Sequence, residues 1–168
     1  MAQKFVVLDG DKMKTKEASI TSAGAGDSGK IVALNADGEI DPTMLPGAEA
    51  TTFTADEALT ATNFVNIYDA GGGTMKVRKA DATTDGKPAN GYVKANVSDE
   101  AAATVYWGNV LNGFTGLTPG DRYFLDAATP GGIVDTPPTA TGSVYQYLGM
   151  AISDTALLVE IGEPITNA

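Results

Sequence analysis

Residues 142–162 read GSVYQYLGMAISDTALLVEIG and carry the clearest strand pattern in the chain. We predict two strands here, at 142–153 and 156–162, because apolar and β-branched residues dominate both. The polar tripeptide at 153–155 between them is typical of a turn. The pair therefore predicts an antiparallel hairpin, and the fold class follows from its neighbours.

The two predicted strands differ in how they distribute apolar residues. The second alternates as a half-buried strand does, with Leu157, Val159 and Ile161 on one face. The first is apolar on both faces, with one face formed by Val144, Leu148, Met150 and Ile152 and the other by Tyr145 and Tyr147. Either this strand is central to a barrel or sandwich, or its tyrosine face meets another subunit.

The strand-and-turn pattern extends back to about Thr51. Further strands are predicted at 64–69, 74–80, 91–97, 103–108 and 117–126, with turns at the glycines of 71–73 and at Pro119 and Gly120. A capping box at 54–57 allows a short helix over 55–62 instead, but its neighbours favour strand. The chain is thus predicted to be mainly β, with a compact β-barrel or β-sandwich body at 51–168 and an extended N-terminal arm at 1–50.

The arm has its own pattern. KFVVL at 4–8 is a strand-sized apolar run, whereas the polar and glycine-rich residues that follow, up to about residue 29, predict an extended segment. IVAL at 31–34 and EID at 39–41 predict a small β-ribbon, in which Asn35 starts the turn and Gly38 takes a positive φ. Such a ribbon is marginally stable alone, so we expect it to pack on the body or on a partner.

Several residues are predicted to make those packing contacts between the arm, the body and neighbouring subunits. Met44 and Leu45 form an apolar hook between two prolines, and Leu34 and Ile40 flank the turn. The tyrosine face of the 142–153 strand is the other candidate. The predicted set is Leu34, Ile40, Met44, Leu45, Tyr145 and Tyr147.

The composition removes most catalytic chemistry. The chain contains neither cysteine nor histidine, so it has no thiolate nucleophile, no imidazole base and no cysteine or histidine metal ligand. Carboxylates remain, but they form no clustered pair among aromatic residues of the kind a glycosidase needs. We therefore expect a protein that is not an enzyme and has no catalytic residue, metal or cofactor.

Two motif matches near the ribbon fail on chemistry. Residues 24–30 fit a phosphate loop, but Ile31 stands where Ser or Thr would hold magnesium, and Asp27 would repel a phosphate. The Asn-Ala-Asp-Gly turn resembles part of a calcium loop, but Ala33 and Met44 occupy its two anchoring positions. The turn is more simply structural.

The charge distribution also limits the partners. A formal net charge of -10 argues against nucleic acid. Four lysines, Lys4, Lys12, Lys14 and Lys16, crowd the first sixteen residues, whereas no residue after Arg122 is basic. This basic start of the arm either docks on an acidic neighbour or is a solvated terminus. No apolar run is long enough for a membrane span, and the N-terminal run is too short for a signal peptide. We expect synthesis in a cytoplasm.

Four segments resemble structural proteins of tailed-bacteriophage virions. They are GDSGKIVALNADGEIDPTMLP at 26–46, VRKADATTDGKPANGYV at 77–93, residues 116–153, and LLVEIGEP at 157–164. The glycine-lysine entry, the Asn-x-Asp-Gly turn and the Met-Leu-Pro exit carry the resemblance in the first segment. The others are similar to β-rich modules of phage head-decoration proteins.

The resemblance implies a head-decoration (cement) protein that binds the outer capsid surface and stabilises the shell. Its partners would be the major capsid protein and copies of itself, as a homotrimer or homodimer, with no nucleic acid or membrane. It would be made in the host cytoplasm and end on the virion. We expect the capsid-facing residues to be Phe5, Val6, Val7, Lys12, Lys14 and Lys16. The alternative is a tail-fibre or tail-tip module that binds a receptor glycan through Trp107, Tyr145 or Tyr147.

Overall fold

The structure is a computed structural model that describes residues 4–21, 30–34, 38–41, 44, 50–83 and 86–168. The chain divides into two compact units, residues 1–48 and 49–168. Regular structure in the described ranges is β-sheet throughout, as the sequence predicts, and contains no α-helix. Within them, accordingly, no helix is long and apolar enough to cross a membrane.

The first unit contains a two-stranded hairpin, β1 (Lys4–Asp9) and β2 (Lys12–Glu17). The strands are antiparallel, and their register runs from Lys4 opposite Glu17 to Asp9 opposite Lys12. Gly10, with φ +64°, occupies the first central position of the turn, where a type II′ turn places a glycine. Residues 12–17, which were predicted to be extended, form the extended strand β2, and the turn at Gly10 lets them pair with β1.

The predicted pairing of 31–34 with 39–41 as a β-ribbon is wrong for the residues that the structure describes. Val32 instead forms an isolated parallel bridge with Ser19. The Ser19 N–H donates to the Ile31 carbonyl at 2.9 Å, and the Ala33 N–H donates to the Ser19 carbonyl at 2.9 Å, so this segment finds its backbone partners upstream. Gly38 has the predicted positive φ, at +81°, whereas Asn35 lies outside the described residues.

The second unit is built on a closed β-barrel, which confirms the predicted body. Its strands in barrel order are β3 (Ala50–Ala55), β5 (Met75–Lys79), β4 (Phe64–Asp69), β6 (Gly91–Tyr92) and β7 (Ala102–Tyr106). β3 closes the barrel by pairing parallel to β5 and antiparallel to β7. The helix considered over 55–62 is absent, since Ala55 ends a strand and turns follow it.

A five-stranded antiparallel sheet completes the body. Its strands in sheet order are β10 (Ile133–Val134), β9 (Arg122–Leu125), β12 (Tyr147–Ala151), β13 (Ala156–Val159) and β8 (Val110–Asn112). A separate pair joins β11 (Val144–Tyr145) to β14 (Ile165–Thr166). The predicted hairpin of 142–162 is present as β12 and β13, but its first strand is divided at Gln146.

Two hydrophobic clusters place the core. The barrel interior holds Val65, Val77 and Val105, among others. The larger cluster joins Phe64 and Tyr92 of the barrel strands to residues of the sheet, which include Leu111, Leu125, Leu148 and Leu157. One face of the sheet therefore packs on the outside of the barrel, and the opposite face remains for other contacts.

A bulge in β12 changes which residues share a face. The pairing with β9 shifts register between Tyr147 and Gly149. Leu148 is consequently buried in the core, while Met150 is 38% exposed and Ile152 is 48% exposed. The prediction that all three lie on one face was wrong, because the extra residue of a bulge breaks the two-residue period.

Gly149 is required where it is. A Cβ at this position would lie 2.2 Å from the Leu158 carbonyl oxygen, a backbone atom of the paired strand. We expect Gly149→Ala to lower the free energy of unfolding by about 2 kcal/mol or more, since overpacking forces the backbone to move. Urea denaturation measures the effect. Gly162→Ala is the matched control, because its Cβ would meet nothing nearer than 3.5 Å, and an equal loss in both variants would contradict the explanation.

Candidate functional site

The hairpin of the first unit sorts its residues onto two faces. Opposite residues in an antiparallel pair share a face, and consecutive residues alternate. Phe5 therefore lies beside Lys16, and Val7 beside Lys14, while Lys12 lies further along the same face opposite Asp9. We call Phe5, Val7 and the three lysines the basic face.

The other face of the hairpin has a different composition. Val6 lies opposite Thr15, and Lys4 lies opposite Glu17. Met13 belongs to the same face and is 76% exposed, while Val6 is 57% exposed. Of the six residues predicted to face a capsid, the structure thus brings five together on the basic face and places Val6 on the reverse.

The basic face is accessible. Phe5 and Val7 are half-buried, and the side chains of Lys12, Lys14 and Lys16 are exposed. Apolar rings and chains at the centre, with cationic side chains along one strand, suit an acidic surface that has an apolar groove. The alternation that produces this face is visible in the sequence, but the hairpin register that pairs the two strands is not.

The rest of the first unit buries little. Among its described side chains, Ala33 is the one buried hydrophobic residue. Ile20, Ile31 and Val32 each expose about half of their surface, as do the predicted packing residues Leu34 and Ile40. Met44 is half-buried, and Leu45 lies outside the described residues. A unit with so little core leaves its apolar side chains available to a partner.

Tyr145 and Tyr147, the other predicted packing residues, meet on one side of the body. Both rings contact Phe124, with ring centroids 5.2 Å and 5.9 Å away respectively. The Arg122 guanidinium lies 5.9 Å from the centroid of the Tyr147 ring. Burial and the nearby Glu160 charge raise the pKa of Tyr147, so its hydroxyl stays protonated at neutral pH.

Trp107 lies on a different face from these tyrosines. It lines a cleft of about 460 Å³ together with Asn90, Gln146 and Glu163. Gln146 is the residue between Tyr145 and Tyr147, so its side chain and theirs leave the strand in opposite directions. The aromatic residues named as alternatives for glycan binding therefore lie in two places, with Trp107 in the cleft and the two tyrosines on the sheet.

Gln146 is buried and fully hydrogen-bonded. Its side-chain amide accepts from the Ala89 N–H at 2.7 Å and donates to the Ala89 and Gly162 carbonyls at 2.9 and 3.0 Å. These bonds tie the segment before β6 to the strand that leads into β12. Sequence patterning alone gives no signal for them, since a lone glutamine among apolar residues usually suggests a solvent-facing position.

A polar cluster at the barrel rim is the other arrangement that sequence reasoning missed. Asp56 accepts a short hydrogen bond from the Tyr68 hydroxyl, and its second oxygen lies 3.0 Å from the Lys76 ammonium. Lys76 also contacts Glu100 at 2.7 Å, and the Arg78 guanidinium stacks 4.0 Å over the Tyr68 ring. The cluster links the ends of β3, β4 and β5 to the loop before β7.

This rim cluster shifts three pKa values. The Tyr68 hydrogen bond and the Lys76 charge lower the pKa of Asp56, and the same hydrogen bond raises the pKa of Tyr68. Glu100 and Asp56 raise the pKa of Lys76. All three shifts move the pKa further from neutral pH, so each side chain keeps its ionisation state there. This behaviour is typical of a structural hydrogen-bond and ion-pair cluster, since a side chain that transfers protons needs a pKa near the working pH.

Neither nucleotide nor metal chemistry finds support in the described ranges. Residues 24–29 of the phosphate-loop match, like Asn35 and Asp37 of the calcium-like turn, lie outside them. No group of three or more carboxylates that could hold a metal ion occurs in the part of the chain that the structure describes. The described surfaces with a distinctive composition are the basic face and the aromatic side of the sheet.

Comparisons with known proteins give distant structural likenesses only. No protein-family model matches the chain, and no curated protein matches it. Among solved structures, the head fiber gp8.5 N base of bacteriophage phi29 aligns with 66% of this chain and 92% of its own, at 14% identity and a TM-score of 0.45. A likeness of this size leaves the function to be argued from the chain's own residues.

The rim cluster makes stability depend on pH. Because the folded state lowers the pKa of Asp56, the stabilisation is present above the ordinary aspartate pKa of about 3.9 and is lost as the pH falls through the lowered value. We expect Asp56→Asn to be less stable than the parent at pH 7 and to approach it in acid.

Urea denaturation at pH 7 and about pH 2.5, below the unperturbed carboxyl range, measures this difference. Asp99→Asn is the matched control, since Asp99 is an exposed acid in the loop next to Glu100. A difference between Asp56→Asn and the parent that stays constant with pH would contradict the assignment.

Proposed function

We propose that the chain is a structural protein of a tailed-bacteriophage virion, and specifically a head-decoration protein that binds the outer capsid surface. The observation that carries the proposal is the basic face, which joins two apolar side chains to three lysines on a unit whose described side chains include one buried hydrophobic residue, Ala33. The resemblance of residues 26–46, 77–93, 116–153 and 157–164 to virion proteins supports the same conclusion.

The hairpin supplies two means of attachment. In the described part of the chain, β1 and β2 pair only with each other, so each has an outer edge of backbone N–H and C=O groups. A capsid strand can add to such an edge. The lysines of the basic face attract an acidic capsid surface, and Phe5 and Val7 bury apolar area once contact is made.

The body has the opposite charge from the basic face. Residues 49–168 contain six basic and fourteen acidic residues. An acidic body is kept away from an acidic shell, so attachment falls to the basic face. Many copies on one shell make weak individual contacts effective, because each shell offers repeated sites.

The partner in this proposal is the major capsid protein, and the location is the capsid surface. It assigns no catalytic residue, metal or cofactor and involves neither nucleic acid nor membrane. The tail-fibre or tail-tip alternative would place a glycan either in the cleft of Trp107 or on the side of the sheet that carries Tyr145 and Tyr147. Binding of host glycans by the chain would favour it.

Charge reversal on the hairpin tests the proposal. We expect Lys14→Glu with Lys16→Glu to reduce binding to empty shells of the major capsid protein from the same genome by about tenfold or more, since both substitutions place repulsion on the binding face. Co-sedimentation at two salt concentrations measures the loss, and parent binding should weaken as salt rises.

The control variants test whether the effect depends on which face of the hairpin carries the reversed charge or only on the change in net charge. Lys4→Glu is a matched reversal on the opposite face of the same hairpin and should retain binding. Removal of residues 2–20 should abolish binding while the far-ultraviolet spectrum and melting of residues 49–168 persist. Full shell occupancy without the hairpin would overturn the proposal, and electron microscopy that places the protein on the tail would favour the alternative.

A further inference from the structure

The outward face of the five-stranded sheet is apolar over most of its width. One row across the sheet is formed by Arg122, Met150, Leu158 and Val110, from β9, β12, β13 and β8. The next row contains Val134, Phe124 and Tyr147, from β10, β9 and β12. Tyr145 extends this second row through its contact with Phe124. We call these eight residues the sheet face.

Such a composition is unusual for a solvated surface. An antiparallel sheet with one face on the core normally alternates to polar residues on the other. Here Arg122 is the single charged residue among the eight. Met150 is 38% exposed, and Val110, Val134, Leu158 and the two tyrosines are half-buried, while Phe124 is only 7% exposed beneath the tyrosine rings. A contiguous apolar band of this kind marks an interaction surface.

The bulge in β12 produces this band. Without the extra residue, Tyr147 and Met150 would leave the strand on opposite sides. The register shift between Tyr147 and Gly149 sends Leu148 inward and keeps the side chains of Tyr147 and Met150 outward. Bulges that re-aim side chains are typical of functional surfaces.

Two opposite charges flank the band on either side of β12. Arg122 is on β9, next to the Tyr147 ring. Glu160 follows β13 on the other side, where its N–H donates to the Leu148 carbonyl at 2.9 Å and its charge acts on Tyr147. Both side chains are exposed, and they form no ion pair with each other in the described residues.

We propose that the sheet face binds a second copy of this chain across a two-fold axis. Consider a two-fold axis that lies in the plane of contact, perpendicular to the line from Arg122 to Glu160 and through its midpoint. This axis brings the arginine of each copy over the glutamate of the other. The surface is then self-complementary, which a two-fold contact requires. The apolar rows meet in the centre, and two symmetric ion pairs fix the register.

The size of the face predicts a weak pair. Five strands at about 4.8 Å spacing and five residues at about 3.3 Å rise give roughly 20 by 17 Å. Each partner of a standard interface contributes roughly 800 Å², so this contact is smaller than that of a stable dimer. We therefore expect the association to depend on concentration. The proposal of a two-fold pair stands independently of whether the protein binds a capsid.

A charge exchange distinguishes this arrangement from non-specific association. Sedimentation equilibrium of the full chain from about 10 µM to about 1 mM should show a monomer–dimer equilibrium. Arg122→Glu and Glu160→Arg should each weaken it by about tenfold or more, since each variant places like charges opposite one another. An equimolar mixture of the two variants should associate again, because the mixed pair restores both contacts.

The controls make each outcome decisive. Met150→Glu should remove association by placing charge at the centre of the apolar row, with melting used to show that the body remains folded. Asp99→Arg, an acid-to-base change in an exposed loop, should leave association unchanged. A parent that stays monomeric throughout, or single variants whose mixture associates no better than either alone, would overturn the proposal.

Discussion

The hydrogen bonds of Gln146 determine how the body is arranged. This buried side chain satisfies both backbone groups of Ala89 and the carbonyl of Gly162, so it fixes the segment before β6 against the strand that leads into β12. Loss of the amide would leave the two buried backbone groups of Ala89 without this partner, each at a cost of about 1–3 kcal/mol, and would also remove the bond to the half-buried Gly162. Because Gln146 points inward, Tyr145 and Tyr147 must point outward. The aromatic side of the sheet is therefore a consequence of how the core is held together.

The two units depend on different sources of stability. The body has two hydrophobic clusters, a closed barrel without open edges and a rim cluster of ion pairs. Over its described residues, the first unit has a hairpin whose strands pair only with each other, and Ala33 is its one buried hydrophobic residue. An isolated two-stranded ribbon is only marginally stable in water, so the hairpin gains most from a surface that covers it. On this division, the proposed attachment surface and the barrel scaffold are separate parts of one chain.

The sequence predicts the fold class well, but it does not predict where the strands depart from regular alternation and local pairing. Strong local patterns, such as 64–69 with 75–79 around three glycines, give the correct strands because alternation and turn chemistry agree. The bulge at Leu148 was missed because one extra residue inverts a face without changing composition. The ribbon over 31–41 was predicted wrongly because Val32 bridges to Ser19 instead, a backbone contact between residues distant in sequence. For the basic face, strand alternation alone separates Val6 from Phe5 and Val7. The placement of Lys14 and Lys16 beside those two residues required the register of β1 with β2.

The two proposed surfaces reinforce each other through effective concentration. A pair of bodies carries two hairpins, so once one hairpin binds a shell, the second searches a small volume rather than bulk solution. The relation is reciprocal, because hairpins held on neighbouring sites bring two sheet faces together by the same factor. A contact too small to hold a dimer in dilute solution then suffices on a crowded surface. Weakness of the sheet face is thus compatible with tight assembly, provided that the arms and the body are used together.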